Sequence, residues 1–242
     1  MLSTAASQKG FTLVELMIAG TISLIVLSAI LTVYSATAQH TTSQLARADL
    51  RQQLYTLSNL IAADIRRSGY WAFDPLIVSP AENPFEHPEN RLRSGALDGE
   101  PAASCLLFSY DLDSDGRVGK GQCRRSGCNT ESDDDNVEQF GFRLNEGRIQ
   151  VRFGGVELSC NSGNWQAVTT PGIVIDTLMF TVYSNCLNLK EQQAPCISED
   201  PALVRRAVEF DIEGHLTRDE AIALNLSRWI DLRNAQLLGQ LE

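Results

Sequence analysis

The sequence predicts an α+β chain: a long, hydrophobic N-terminal helix packed on an antiparallel β-sheet domain. Three observations lead there. Residues Leu13 to Tyr34 form an apolar run whose single formal charge is Glu15. Beyond it, Leu50, Leu54, Leu57, Ile61 and Ile65 recur at spacings of four, three, four and four, which is one apolar stripe at helical period. After Ser104, β-prone segments alternate with turn signals.

The helix comes first. At about 1.5 Å rise per residue, some twenty residues span a hydrocarbon layer of about 30 Å. No proline interrupts the chain from Phe11 to Asp74. Arg51, Gln52, Gln53, Asp64 and Arg66 lie between the stripe residues and suit the opposite face. Arg66 and Arg67 fall in the expected last turn, and Gly69 follows as a C-cap. The reading is one helix over 11–68, transmembrane over 11–34 and amphipathic over 35–68. A β-rich globular domain follows over 69–242.

Pro75 to Pro101 is rich in Pro, Asn, Glu and Gly and reads as a long surface loop. Strands are expected at Ser104 to Tyr110, and at Val137 to Leu144 and Arg148 to Phe153 around the hairpin signal Asn145-Glu146-Gly147. Ile173 to Tyr183 follows, with Leu178, Phe180 and Val182 on one face. In Leu203 to Ile212, Val204, Val208, Phe210 and Ile212 share a parity. Leu224 to Arg233 closes a single sheet, with Leu226, Ile230 and Leu232 inward. Thr217-Arg-Asp-Glu220 reads as a capping box opening a short helical turn.

Charge and chemistry narrow the function. The formal charge is −10, which is a poor match to nucleic-acid phosphates, so no nucleic-acid partner is expected. Six cysteines, Cys105, Cys123, Cys128, Cys160, Cys186 and Cys196, all follow the apolar run. An even count in an exported domain indicates disulfides. Short loop closure favours Cys123–Cys128 and Cys186–Cys196, and strand-like surroundings favour Cys105–Cys160, although sequence alone leaves the pairing open. No CxxC occurs and His40, His87 and His215 are scattered, which argues against zinc. No nucleophile elbow, HExxH or Walker pattern is present, and the glycines of 116–121 lack the P-loop order. An enzyme is not expected.

Asp111-Leu-Asp-Ser-Asp-Gly-Arg-Val118 places carboxylates at alternate positions before a glycine, as in the first half of a calcium loop. Asp111, Asp113 and Asp115 are the candidate ligands, Gly116 permits the turn, and Val118 takes the apolar eighth position. The twelfth position is Gln122, not a bidentate glutamate, so Asp133, Asp134 or Asp135 is expected to complete the set. The competing reading is a solvated acidic turn. Calcium is the one cofactor considered.

The start of the chain is the most specific feature. A leader with one charge, Lys9, ends in Gly10, and Phe11 and Glu15 follow. A secretory signal has its cleavage site after the apolar stretch. Here Gly10 precedes it, so cleavage leaves the helix on the mature chain. These residues resemble the type IV prepilin signature of glycine, phenylalanine and a glutamate at the fifth mature position. The resemblance implies that residues 1–10 are a leader, that a prepilin peptidase cuts after Gly10 and methylates the Phe11 amine, and that Glu15 sets register during assembly. An acid in hydrocarbon costs free energy, which suits a functional Glu15 better than a tolerated one. Many major pilins kink this helix with a proline, and its absence here is similar to a minor pilin or pseudopilin.

Asp64-Ile-Arg-Arg-Ser-Gly-Tyr70 and Asp231-Leu-Arg-Asn234 resemble the helix end and closing strand of PilW-type minor pilins. That resemblance implies a pilin-like fold and a bacterial inner-membrane protein with one span and a periplasmic domain. It also implies assembly at the pilus tip with other minor pilins and the major pilin, where such subunits can present an adhesin. Two alternatives stand beside it: a J-type minor pseudopilin of type II secretion, and a tip adhesin. Tyr70, Trp71 and Phe73 are expected either to pack in the core or to contact another subunit.

Overall fold

The computed structural model describes residues 10, 12–73, 79–119, 137–155, 157–191, 195–196 and 200–238. The chain divides into two compact units between Ala48 and Asp49, each described here by itself.

Helix α1 (Leu13–Ile65) is 53 residues long and belongs to both units. In the first unit its apolar side chains, from Leu13 to Tyr34, are exposed. In the second unit the stripe is buried, with Leu54, Ile61 and Ile65 fully enclosed. Burying each such side chain contributes about 2 kcal/mol. Ser58 shares the buried face and accepts a 3.0 Å hydrogen bond from Arg228, which also donates to Asn59 at 2.7 Å.

The helix stops at Ile65, short of the expected 68, so Arg66 and Arg67 lie beyond its last turn. The N–H groups of Arg67 and Ser68 bond three residues back, to Asp64 and Ile65, and tighten the chain out of the α-helix. Gly69 then takes φ +72°, and a Cβ there would overlap the Glu86 carboxylate. Asn234 Nδ2 donates to the Arg67 and Ser68 carbonyls at 3.2 and 3.1 Å, tying the segment after β8 to the turn that follows the helix.

The β-structure forms two antiparallel sheets, where one was expected. The first runs β1 (Arg93–Gly95), β2 (Cys105–Ser109), β3 (Gln139–Asn145), β4 (Arg148–Phe153) and β5 (Trp165–Ala167) in that spatial order. The second orders β6 (Ile173–Asn188), β7 (Ala202–Leu216) and β8 (Asp219–Asp231), with β9 (Gln236–Leu238) on the β7 end that β8 leaves open. Among the described residues no ladder joins the sheets; β6 bulges between Ile175 and Thr177, and its Ile175 and Phe180 N–H groups donate singly to the carbonyls of Gly147 and Ala103.

The β3–β4 hairpin turns at Glu146 and Gly147, both at positive φ, as the sequence signal predicts. The capping box at Thr217 is a correction. Thr217 and Arg218 form the tight turn between β7 and β8, with no helical turn. The Thr217 hydroxyl donates to the Pro171 carbonyl and its N–H to the Gly172 carbonyl, which holds the turn against the segment before β6 rather than at a helix start. The predicted closing strand also shifts, since β8 starts at Asp219 and ends at Asp231. The expected irregular loop contains two 3-10 turns, Pro80–Glu82 and Pro84–Glu86, and strand β1. It is partly interior, because Phe85 and Glu86 are buried.

Phe108 stacks with Tyr110, Phe140 and Phe142 at 6.1–6.3 Å between ring centroids, and Tyr110 with Phe140 at 4.1 Å. Disulfides join Cys105 to Cys160 and Cys186 to Cys196. Cys123 and Cys128 lie outside the described residues. Arg152 is wholly buried and donates to the Gln139 and Glu157 carbonyls at 2.7 and 2.6 Å. Burial, with Arg93 adding to it, lowers its pKa to about 10, so it stays a cation at neutral pH.

Candidate functional site

Two places carry the residues singled out by the sequence: the start of α1 and the acidic loop. At the first, Gly10 is exposed. Phe11 and residues 1–9 lie outside the described residues. Thr12 is the N-cap of α1, a role the sequence reading missed. Its hydroxyl accepts from the Glu15 N–H at 3.2 Å, while Glu15 Oε2 accepts from the Thr12 N–H and hydroxyl, both at 3.0 Å. This is a reciprocal capping box, and the Thr-x-x-Glu spacing was there to be read. It orients the carboxylate along the helix end, where the dipole favours an anion.

The hydroxyls of the following apolar stretch are satisfied within the helix. Thr21, Ser23, Ser28 and Thr32 donate to carbonyls three or four residues back at 2.7–2.9 Å. Such back-bonding lets a polar side chain enter a solvent with no hydrogen bonds to offer. Residues of α1 are long and apolar enough to cross a membrane. Glu15 is therefore the one charged group in an otherwise lipid-compatible stretch.

The second place begins where β2 ends. Asp111 N donates to Tyr70 O at 2.9 Å, which ties the loop to the chain leaving α1. Asp111 Oδ2 accepts from the N–H groups of Ala72 and Gly116, both at 3.0 Å. Its Oδ1 is buried with no hydrogen-bond partner among the described residues. Asp113 accepts from Asp115 N at 3.1 Å and Asp115 from Arg117 N at 2.8 Å, the local turns that alternate aspartates make. Gly116 has φ +78°, and a Cβ there would lie 3.1 Å from Ala72 O. Trp71 Nε1 donates to Gly116 O at 2.8 Å, and the indole stacks on Phe73 at 4.6 Å.

Glu138, just before β3, completes the group and was not anticipated. It accepts from Leu112 N at 2.9 Å and Gly119 N at 3.0 Å. Oxygens of Asp111, Asp113, Asp115 and Glu138 all lie within 4.8 Å of one another. Asp111 and Glu138 are buried, and Asp113 and Asp115 half-buried. Burial pushes Glu138 up to about 7; its two N–H donors oppose the rise, and Asp111 and Asp113 add to it. Nothing in local spacing pointed to Glu138, because β2 and β3 pairing brings it back to the loop. Gln122 and Asp133 to Asp135 lie outside the described residues. Tyr70, Trp71 and Phe73 pack along this loop; Tyr70 and Phe73 remain partly exposed rather than in the core.

The prokaryotic N-terminal methylation motif matches residues 5–31. The family of prepilin peptidase-dependent protein B matches residues 43–232. An uncharacterized protein of Haemophilus influenzae strain Rd is 32% identical over 108 residues, and the chain spans 45% of that relative's length. No solved structure matches. The methylation motif covers the start of α1, and the family match runs from α1 through β8, so the chain belongs to the prepilin peptidase-dependent protein B family and is a type IV pilin-like protein.

Proposed function

We propose that the chain is a minor pilin of a type IV pilus. In this reading it is structural, not catalytic. It is held in the inner membrane by α1, processed after Gly10, and drawn with other minor pilins into a complex that primes the filament and stays at its tip. The observation that carries the proposal is Glu15, the lone charge of an apolar helix, oriented by Thr12 one turn from the processing site. After cleavage the Phe11 amine is a cation beside it. An unpaired charge in a low-dielectric interior is expensive, so the pair, within one subunit or between neighbours, favours stacked protomers in a single axial register.

Glu15→Val tests this. Processing to the mature length is expected to continue, while pilus number falls at least tenfold and the variant stays in the membrane fraction. Normal piliation by a normally processed variant would refute the register role. The family match also accommodates a J-type pseudopilin of type II secretion. A deletion strain separates the two, because the minor-pilin reading requires lost pili with secretion intact. A tip adhesin would lose ligand binding, not piliation, when surface loops are altered.

A further inference from the structure

We propose that Asp111, Asp113, Asp115 and Glu138 form a calcium site that clamps the acidic loop to the segment leaving α1. The inference rests on these side chains and is independent of the assembly reading.

Four carboxylates converge with their oxygens within 4.8 Å, close to the spacing of ligands around one ion. The donor set is all oxygen, which suits a hard cation. The second, separate observation is Asp111. It is 3% exposed, its carboxylate belongs to the cluster, and its Oδ1 is buried without a hydrogen-bond partner among the described residues. A buried carboxylate oxygen left unmatched is costly, and a cation bound among the four would match it. The backbone contacts already made by these side chains do not compete, since each carboxylate oxygen accepts more than one contact. They hold the ligands in place before the ion arrives. Glu138 supplies from β3 the acid that Gln122 does not.

Calcium is favoured over magnesium by this geometry. Ligands from a loop and a strand end can wrap a larger ion with six to eight oxygens, whereas magnesium demands a tighter octahedron and keeps its waters. The structural result would be local. Asp111 also holds Ala72 N, and Gly116 O holds the Trp71 indole, so the ion would lock residues 70–73 to the loop.

The experiment uses the full-length chain in detergent micelles after treatment with a chelator. Titration calorimetry with calcium chloride is expected to show one site per chain. Calcium at about a hundredfold over Kd is expected to raise the melting temperature by about 5–11 °C. Magnesium chloride at equal concentration should bind at least tenfold more weakly. E138Q and D113N should each lower calcium affinity at least tenfold, with far-UV circular dichroism unchanged in the absence of the ion. Terbium provides a readout that needs no variant: bound in the loop, it should luminesce on excitation of the nearby Trp71 and be displaced by calcium. Absence of heat, melting shift and terbium luminescence would overturn the proposal. So would wild-type affinity in both variants, which places binding elsewhere, or magnesium binding as tightly as calcium.

Discussion

Arg206→Met probes the ion pair that fastens the loop after α1 to β7. Arg206 Nη2 contacts Glu86 Oε1, and the two side chains are 6% and 4% exposed. Burial raises the Glu86 pKa, and Arg206, then Arg91, pull it back. Methionine keeps most of the bulk and removes the charge. Stranding one partner of a buried pair costs about 3–5 kcal/mol. In a unit of this size each kcal/mol shifts the melting temperature by about 2–4 °C, so a fall of about 6–20 °C is expected. The sign of the pH dependence follows from Glu86. Its folded pKa lies above the unfolded value of 4.5. The stability linked to its proton is therefore complete below that value and is lost as pH rises through the folded pKa. Arg206→Met moves the folded pKa further up, so the stranded carboxylate is protonated more fully at about pH 5 than at about pH 8. The penalty should be clearly smaller at the lower pH. E86Q strands the Arg206 guanidinium instead and removes the Glu86 titration, so its penalty should run the other way and be no smaller at the lower pH. The double variant E86M/R206M should recover most of the loss, because apolar replacement of a whole buried pair is often neutral. Thermal unfolding of the full-length chain in detergent, followed by circular dichroism, reads all three. A fall below about 2 °C in Arg206→Met, equal at both pH values, would refute the reasoning.

Ile61→Ala should destabilise the domain by about 2–5 kcal/mol, because Ile61 is completely enclosed, while Leu60→Ala on the open face should stay within about 0.5 kcal/mol. Equal losses by denaturant titration would contradict the stripe assignment. Removing the Cys105–Cys160 disulfide, whose partners are 55 residues apart, should cost about 4 kcal/mol on loop entropy alone. Removing Cys186–Cys196, with a separation of 10, should cost about 3 kcal/mol. Paired Cys→Ala variants compared by chemical denaturation test the order, and a reversal would count against the entropic account.

Period and local chemistry carried much of this molecule in the sequence. The α1 stripe was legible because a helix repeats its buried face every three or four residues, and each stripe residue from Leu50 to Ile65 is buried. The hairpin at Glu146-Gly147 was legible because few residues adopt two successive positive φ angles. Gly69 takes the expected left-handed conformation, but beyond the helix end, with its N–H on the Ser109 carbonyl rather than on α1. The Thr217 capping box misled for the complementary reason: the pattern is real, but the neighbouring strands and the Pro171 carbonyl outcompete a few residues of helix. At the acidic loop, Asp111, Asp113 and Asp115 announced themselves by spacing, and Glu138 did not.

By itself the sequence determined the elements set by contacts between near neighbours: the apolar span with its single acid, the amphipathic continuation, the strand parities and the processing motif. Tertiary structure alone decided what distant segments share. It split the strands into two sheets, tied the turn after α1 to Asn234, paired Glu86 with Arg206, and carried Glu138 to the aspartates. Local patterns encode φ, ψ and burial periodicity, whereas these meetings depend on loop closure and strand register across many residues, which no short window contains.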